Sequence, residues 1–125
     1  MLINKGTAFK PDSLIKSSPA DLADQQLLAY NAHNLEAFLA PYAEDVEIYD
    51  LQTNKLQVKG KEQMRKQYSF LNNIRTLYCN LLNRIVQGNL VIDHEEIWAE
   101  GGQRFYGVAI YQVENGKIKR VWFPQ

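Results

Sequence analysis

The chain has 125 residues, of which 46% are hydrophobic, and its 14 basic and 14 acidic side chains give a formal net charge of zero. That length and apolar share suit one domain with a single core. The balanced charge excludes a basic nucleic-acid-binding stripe and a polybasic membrane anchor. A lone cysteine, Cys79, excludes an internal disulfide, and no Cys/His cluster suggests a zinc site. No apolar run is long enough for a signal peptide or a bilayer span, so a cytoplasmic protein is expected.

Residues 1–17 mix Lys, Gly, Pro and Ser without a sustained period and read as an N-terminal arm, with a single domain over 18–125. Ser18-Pro19 has the form of a helix start, Ser18 as N-cap and Pro19 at the first helical position. Leu22, Leu27, Leu28 and Tyr30 supply the apolar side of that helix, which should end near Asn31–Asn34. Asn34 can cap a second short helix carrying Leu35, Phe38 and Leu39, closed by Pro41. Val46, Ile48 and Asp50 alternate as one face of a strand. A short extended piece at 56–58 follows, and Gly60 then leads a helix with Met64, Tyr68 and Leu71 at i, i+4 and i+7.

From Leu77 the period changes to two, punctuated by Gly88-Asn89, Gly101-Gly102 and Asn115-Gly116. Each is readable as a two-residue hairpin turn. Four antiparallel strands after three helices imply an α+β fold.

The run "LVIDHEEIW", Leu90 to Trp98, carries four ionisable residues in the middle of a strand. Neighbouring side chains on a strand point to opposite faces, so the run is split. With two-residue turns, Arg84, Asp93, Ile110 and Val121 share a rung on one face. Leu82, Glu95, Val108 and Phe123 form the next rung there, followed by Ile97 and Tyr106. The opposite face holds Asn83, His94, Ala109 and Trp122, with Glu96, Trp98 and Phe105. Arg84 facing Asp93 can satisfy a buried carboxylate as a cross-strand ion pair, or form the polar floor of a pocket. His94 shares its face with Glu96 only, so no set of metal ligands converges from this strand, and an interface or structural histidine is expected.

The stretch "LLAYNAHNLEAFLAPYAEDVEIYD" resembles the opening of the nuclear-transport-factor-2-like superfamily, in its SnoaL-like and ketosteroid-isomerase-like branches. "KGKEQMRKQY" is similar to the family's third helix and "YGVAIYQVENGKIKRVWF" to its closing hairpin. The likeness covers roughly residues 19 to 123 and implies a cystatin-like cone, a curved antiparallel sheet wrapped over three N-terminal helices around an apolar cavity. It also implies a metal-free site with no cofactor, a small apolar ligand, and a homodimer packed through the outer sheet face near Trp98, Trp122 and His94.

In the isomerase branch a base sits at the end of the first strand, where this chain has Asp50. The branch's two oxyanion donors fall on Gln26 and on Val108 or Ile110, so both are missing, and Tyr30 lies one turn beyond Gln26. The resemblance turns the face of Arg84, Asp93 and Glu95 toward the cavity, with Tyr30, Tyr106, Ile110 and Phe123 around the ligand. Two readings stay open. One is isomerase- or cyclase-type acid–base chemistry using Asp50 or Glu95. The other is a non-catalytic ligand-binding or dimerisation module.

Overall fold

The structure, a computed structural model, describes residues 17–124. The expected arm at 1–17 lies outside the described residues except for Ser17. Helix α1 (Pro19–Asn31) opens as the Ser-Pro pair demands. Ser18 Oγ accepts from the Asp21 N–H, Asp21 reciprocates on the Ser18 N–H, and Pro19 stands in the first turn. Asn34 caps α2 (Leu35–Leu39) by accepting from the Ala37 N–H at 3.1 Å. Strand β1 (Tyr42–Asp50) buries Val46, Ile48 and Asp50 on one face, and β2 (Leu56–Lys59) pairs with it. Gly60, at φ +88°, turns the chain into α3 (Lys61–Gln67). That helix stops before Tyr68, and a short 3-10 turn, Ser69–Asn72, carries the buried Leu71.

Strands β3 (Tyr78–Gln87), β4 (Leu90–Trp98), β5 (Phe105–Glu114) and β6 (Lys117–Phe123) follow as antiparallel neighbours. The sheet order is β2-β1-β6-β5-β4-β3. Two turns have the expected two residues, Gly88-Asn89 and Asn115-Gly116, the latter with φ of +52° and +77° as a type I′ turn requires. Helices α1 and α3 pack against the sheet face that carries Val46, Ile48, Val91, Ala109, Tyr111 and Val121, and these residues belong to the core.

The expected antiparallel cone is not what forms. The sheet is mixed and open, neither curled nor closed. Strand β1 runs parallel to β6, because the chain leaves the end of β1, builds the rest of the sheet, and returns beside β1 in the same direction. The edge strands β2 and β3 lie at opposite ends of the sheet. Register shifts in β1, β3 and between β5 and β6 bend strands locally, yet they do not bring those edges together. Among the described residues no helix is long and apolar enough to cross a membrane.

Candidate functional site

The connection from β4 to β5 decides which side chains face the helices. It runs over 99–104 rather than making a two-residue turn, and the Gly102 N–H donates to the Ala99 carbonyl at 2.9 Å. Ile97 therefore pairs with Phe105, Glu95 with Gly107 and Asp93 with Ala109, one residue away from the expected rungs. A shift of one flips every side chain of a strand to the other face. Gly107, Ala109, Tyr111 and Val113 turn inward, while Val108 and Ile110 turn outward. Ile110 lies between Ile92 and Trp122, outside the site expected for it. A second irregularity, at Leu82 in β3, sets Leu81 opposite Glu95 and Cys79 opposite Ile97, and leaves Leu82 39% exposed.

Between the inward sheet face and the helices lies a pocket of about 570 Å³. Tyr30 from α1, Tyr68 just after α3 and Phe70 from the 3-10 turn form one wall. Their rings interlock, with centroids 6.5 Å apart for Tyr30–Phe70 and 5.6 Å for Tyr68–Phe70. Ile48, Val58, Ile97, Phe105 and Phe123 supply apolar surface from the strands. Gly107 makes room for the pocket, since a Cβ at this position would meet no atom within 4 Å. A glycine inside a strand often marks such close approach.

Glu95 is the carboxylate that reaches this pocket among the described residues. It is 9% exposed. Burial, and then the negative charge of Asp93 two residues away, push its carboxyl up to about 7, against a smaller lowering by the Cys79 thiol and Arg84. Cys79 donates to Glu95, and burial pushes its own pKa up, so the thiol stays protonated. Behind Glu95 lies a smaller chamber of about 100 Å³, also lined by Tyr30, Tyr68, Ile97 and Phe123. Its back wall is polar but paired. Gln26 accepts from the Tyr42 hydroxyl at 3.2 Å and donates to the Tyr111 oxygen at 3.2 Å and the Ala23 carbonyl at 2.9 Å. Burial raises the Tyr30, Tyr42, Tyr68 and Tyr111 hydroxyls, which remain neutral donors at physiological pH.

The remaining expected site residues lie outside the pocket or, for Tyr106, at its rim. Asp93 is fully buried and paired with Arg84 through two bonds, Nε to Oδ1 at 2.7 Å and an Nη to Oδ2 at 2.9 Å. Arg84 also reaches Asp24 of α1 at 2.7 Å, so the pair ties helix to sheet and does not line the pocket. Asp50 is buried at the end of β1, where its Oδ2 accepts from the Thr53 N–H at 2.8 Å and the Thr53 hydroxyl at 2.6 Å. That is the geometry of an Asp holding the turn after the strand, and Asp50 is outside the pocket lining. Tyr106 sits at the rim, 63% exposed, its hydroxyl donating to Glu96 on the outer face at 3.1 Å.

Tyr30, Glu95 and Phe123 are thus brought together, while Asp50, Arg84, Asp93 and Ile110 are not. Gly107 and Phe70 complete the pocket without having been singled out from the sequence, together with Tyr68, which was expected only on the apolar face of the third helix. A glycine within the strand pattern "FYGVAIY" was the signal for the first. Nothing local marks Phe70. Among the described residues no group of three or more His, Cys, Asp and Glu side chains could hold a metal ion.

A search of curated proteins finds no match. Solved structures share the fold. An uncharacterised cystatin-fold protein from Novosphingobium aromaticivorans is 21% identical, covering 86% of this chain and 98% of its own, with a TM-score of 0.76. A Kribbella flavida protein, provisionally called a ketosteroid isomerase, is 21% identical over 86% of this chain and 78% of its own, with a TM-score of 0.72. A computationally designed 17-OHP binder is 19% identical over 89% of this chain and 92% of its own, with a TM-score of 0.75. The family model described as "SnoaL-like domain" matches residues 23–121, which takes in every strand and helix named above except the ends of α1 and β6. On the breadth of that match, the chain belongs to the SnoaL-like domain family.

Proposed function

We propose that the protein binds a small, largely apolar molecule in the 570 Å³ pocket, with Glu95 anchoring the ligand's polar group. The observation that carries this reading is a buried carboxyl facing the open space above Gly107, within mostly apolar walls. Ligand pockets of this size commonly combine apolar walls with a few placed polar groups. A 17-OHP binder among the structural relatives lends weight to a small-molecule role.

Acid–base chemistry is the second reading, and the raised Glu95 carboxyl favours it. A group titrating near 7 can both give and take a proton at neutral pH. The Tyr30 and Tyr68 hydroxyls line the same pocket and are suited to donate to a developing oxyanion. In this reading Glu95 takes the role that the family resemblance implies for Asp50.

A thermal-shift screen of apolar carbonyl compounds tests the binding site. A ligand at ~100 times its Kd stabilises the folded chain by about 2.7 kcal/mol. Gly107→Leu, which fills the pocket from a strand position with room for a side chain, should abolish that shift. Asp50→Asn keeps an oxygen for the Thr53 N–H and should leave the shift unchanged. Retained binding in Gly107→Leu, or lost binding in a folded Asp50→Asn, would overturn the assignment.

A homodimer through the outer sheet face belongs to the same proposal. Trp122 stacks on Tyr49 at 5.6 Å, Trp98 packs between Tyr78 and Arg104, and His94 lies beside Asn83, all half-buried on one face. Such aromatic surface suits a protein contact. Light scattering at micromolar concentration should give twice the chain mass; a monomer mass would count against the dimer.

A further inference from the structure

The charge of the pocket is one-sided. No Lys, Arg or His lines it among the described residues, and Glu95 is its carboxylate. Asp93 adds negative charge behind Glu95. The nearest compensating cation, Arg84, is turned away and held between Asp93 and Asp24. The walls are rich in aromatic rings, Tyr30, Tyr68, Phe70, Phe105 and Phe123, and ring faces carry partial negative charge that attracts cations. A buried carboxylate without a cation is a costly arrangement, and a cation brought to within a few ångströms of it relieves that cost.

We propose that the ligand is a protonated organic amine with an apolar body, its ammonium seated against Glu95 and the aromatic wall and its body lying along Ile48, Val58 and Ile97. This inference rests on the reading of the pocket as a ligand site and names the class of ligand. An anionic head would be repelled by Glu95 and Asp93, and a neutral head would leave the Glu95 charge uncompensated. The titratable groups facing Glu95 are Cys79 and Arg84 on β3, Asp93 on its own strand, Tyr30 on α1, Tyr42 on β1, Tyr111 on β5 and Tyr68 after α3. Burial holds the thiol and the four hydroxyls protonated across neutral pH, and Arg84 stays charged, so Glu95 is the group that couples binding to pH in this range.

Isothermal titration calorimetry with 2-(2-naphthyl)ethylamine and its neutral counterpart 2-(2-naphthyl)ethanol tests the proposal on the full chain. The amine should bind at least ~10-fold more tightly than the alcohol at about pH 8.5, where Glu95 is ionised. Its affinity should fall ~10-fold at about pH 6, where binding must expel the Glu95 proton, and buffers of different ionisation enthalpy should register that release. In Glu95→Gln the amine preference and the pH dependence should vanish. Equal affinities, or an amine preference that survives Glu95→Gln, would overturn the proposal. Alcohol binding that Gly107→Leu abolishes, with no amine preference, would overturn the amine alone and leave the pocket reading standing. Failure of both compounds to bind at millimolar concentration would count against both.

Discussion

Replacing Arg84 by Met should cost about 3–5 kcal/mol of folding stability, the range for removing one partner of a buried ion pair. Asp93 is completely buried, and both its oxygens are occupied by Arg84 donors. Met would fill much of the arginine's volume but leave that carboxylate without a counter-charge. The contact with Asp24 adds little to the effect, since Asp24 is more than half exposed and such pairs contribute at most about 1 kcal/mol. Changing both partners, Arg84→Met with Asp93→Leu, should destabilise less than Arg84→Met alone, because no charge is then stranded. Urea unfolding of the two single variants and the double closes the cycle. Costs that simply add would rule out the coupling. A secondary consequence follows at Glu95, which Arg84 partly holds down. In Arg84→Met the Glu95 carboxyl should titrate higher still.

Glu95→Gln should change the pH dependence of stability by on the order of 3 kcal/mol, the equivalent of a carboxyl raised from 4.5 to about 7. The folded chain holds this proton more tightly than the unfolded chain. The contribution is therefore fully present below pH 4.5, declines as pH rises through the interval up to about 7, and is gone above it. Glutamine carries no proton to lose. The stability difference between Glu95→Gln and the parent should move in favour of the variant between those two pH values and be flat on either side. The exposed carboxylates held low by basic partners, such as Glu36 and Asp45, contribute equally to both proteins and cancel in the difference. Urea unfolding at about pH 4.5, 6 and 8 measures it. A difference that does not vary with pH would mean that the Glu95 carboxyl is not perturbed.

These two side chains show how far the sequence could be read. The Arg84–Asp93 pairing was legible because Gly88-Asn89 is a two-residue turn, and counting back from it sets Arg84 opposite Asp93. The same counting failed two residues further on, where the irregularity at Leu82 put Leu81 opposite Glu95 and brought Cys79 to the pocket side. Alternation put Val91, Asp93, Glu95 and Ile97 on one face of β4, and only the family resemblance turned that face, and with it Glu95, inward. Tyr30 and Phe123 were expected beside it from the resemblance, whereas the approach of Tyr68 and Phe70 was not legible, since they arrive from the segment after α3, far away in the chain. Asp50 was legible as the end of a strand, and the Thr53 contacts show that it also holds the turn that follows.

The amino-acid order by itself determined the local elements. Ser18 and Asn34 cap helices, Gly60 reverses the chain at a positive φ, and Asn115-Gly116 closes a hairpin, because each residue type satisfies a backbone requirement that its neighbours cannot. Tertiary structure alone decided what lies beyond those local rules. Strand β5, "FYGVAIYQVE", is apolar on both faces, so its pattern could not choose the inward one. The longer 99–104 connection chose it, turning Gly107 and Ala109 toward the helices and Val108 and Ile110 away. The parallel pairing of β1 with β6 was equally invisible, since strand direction is settled by where the chain returns and no residue encodes it. The pocket exists because that choice set a glycine, with no side chain to fill the space, opposite Glu95.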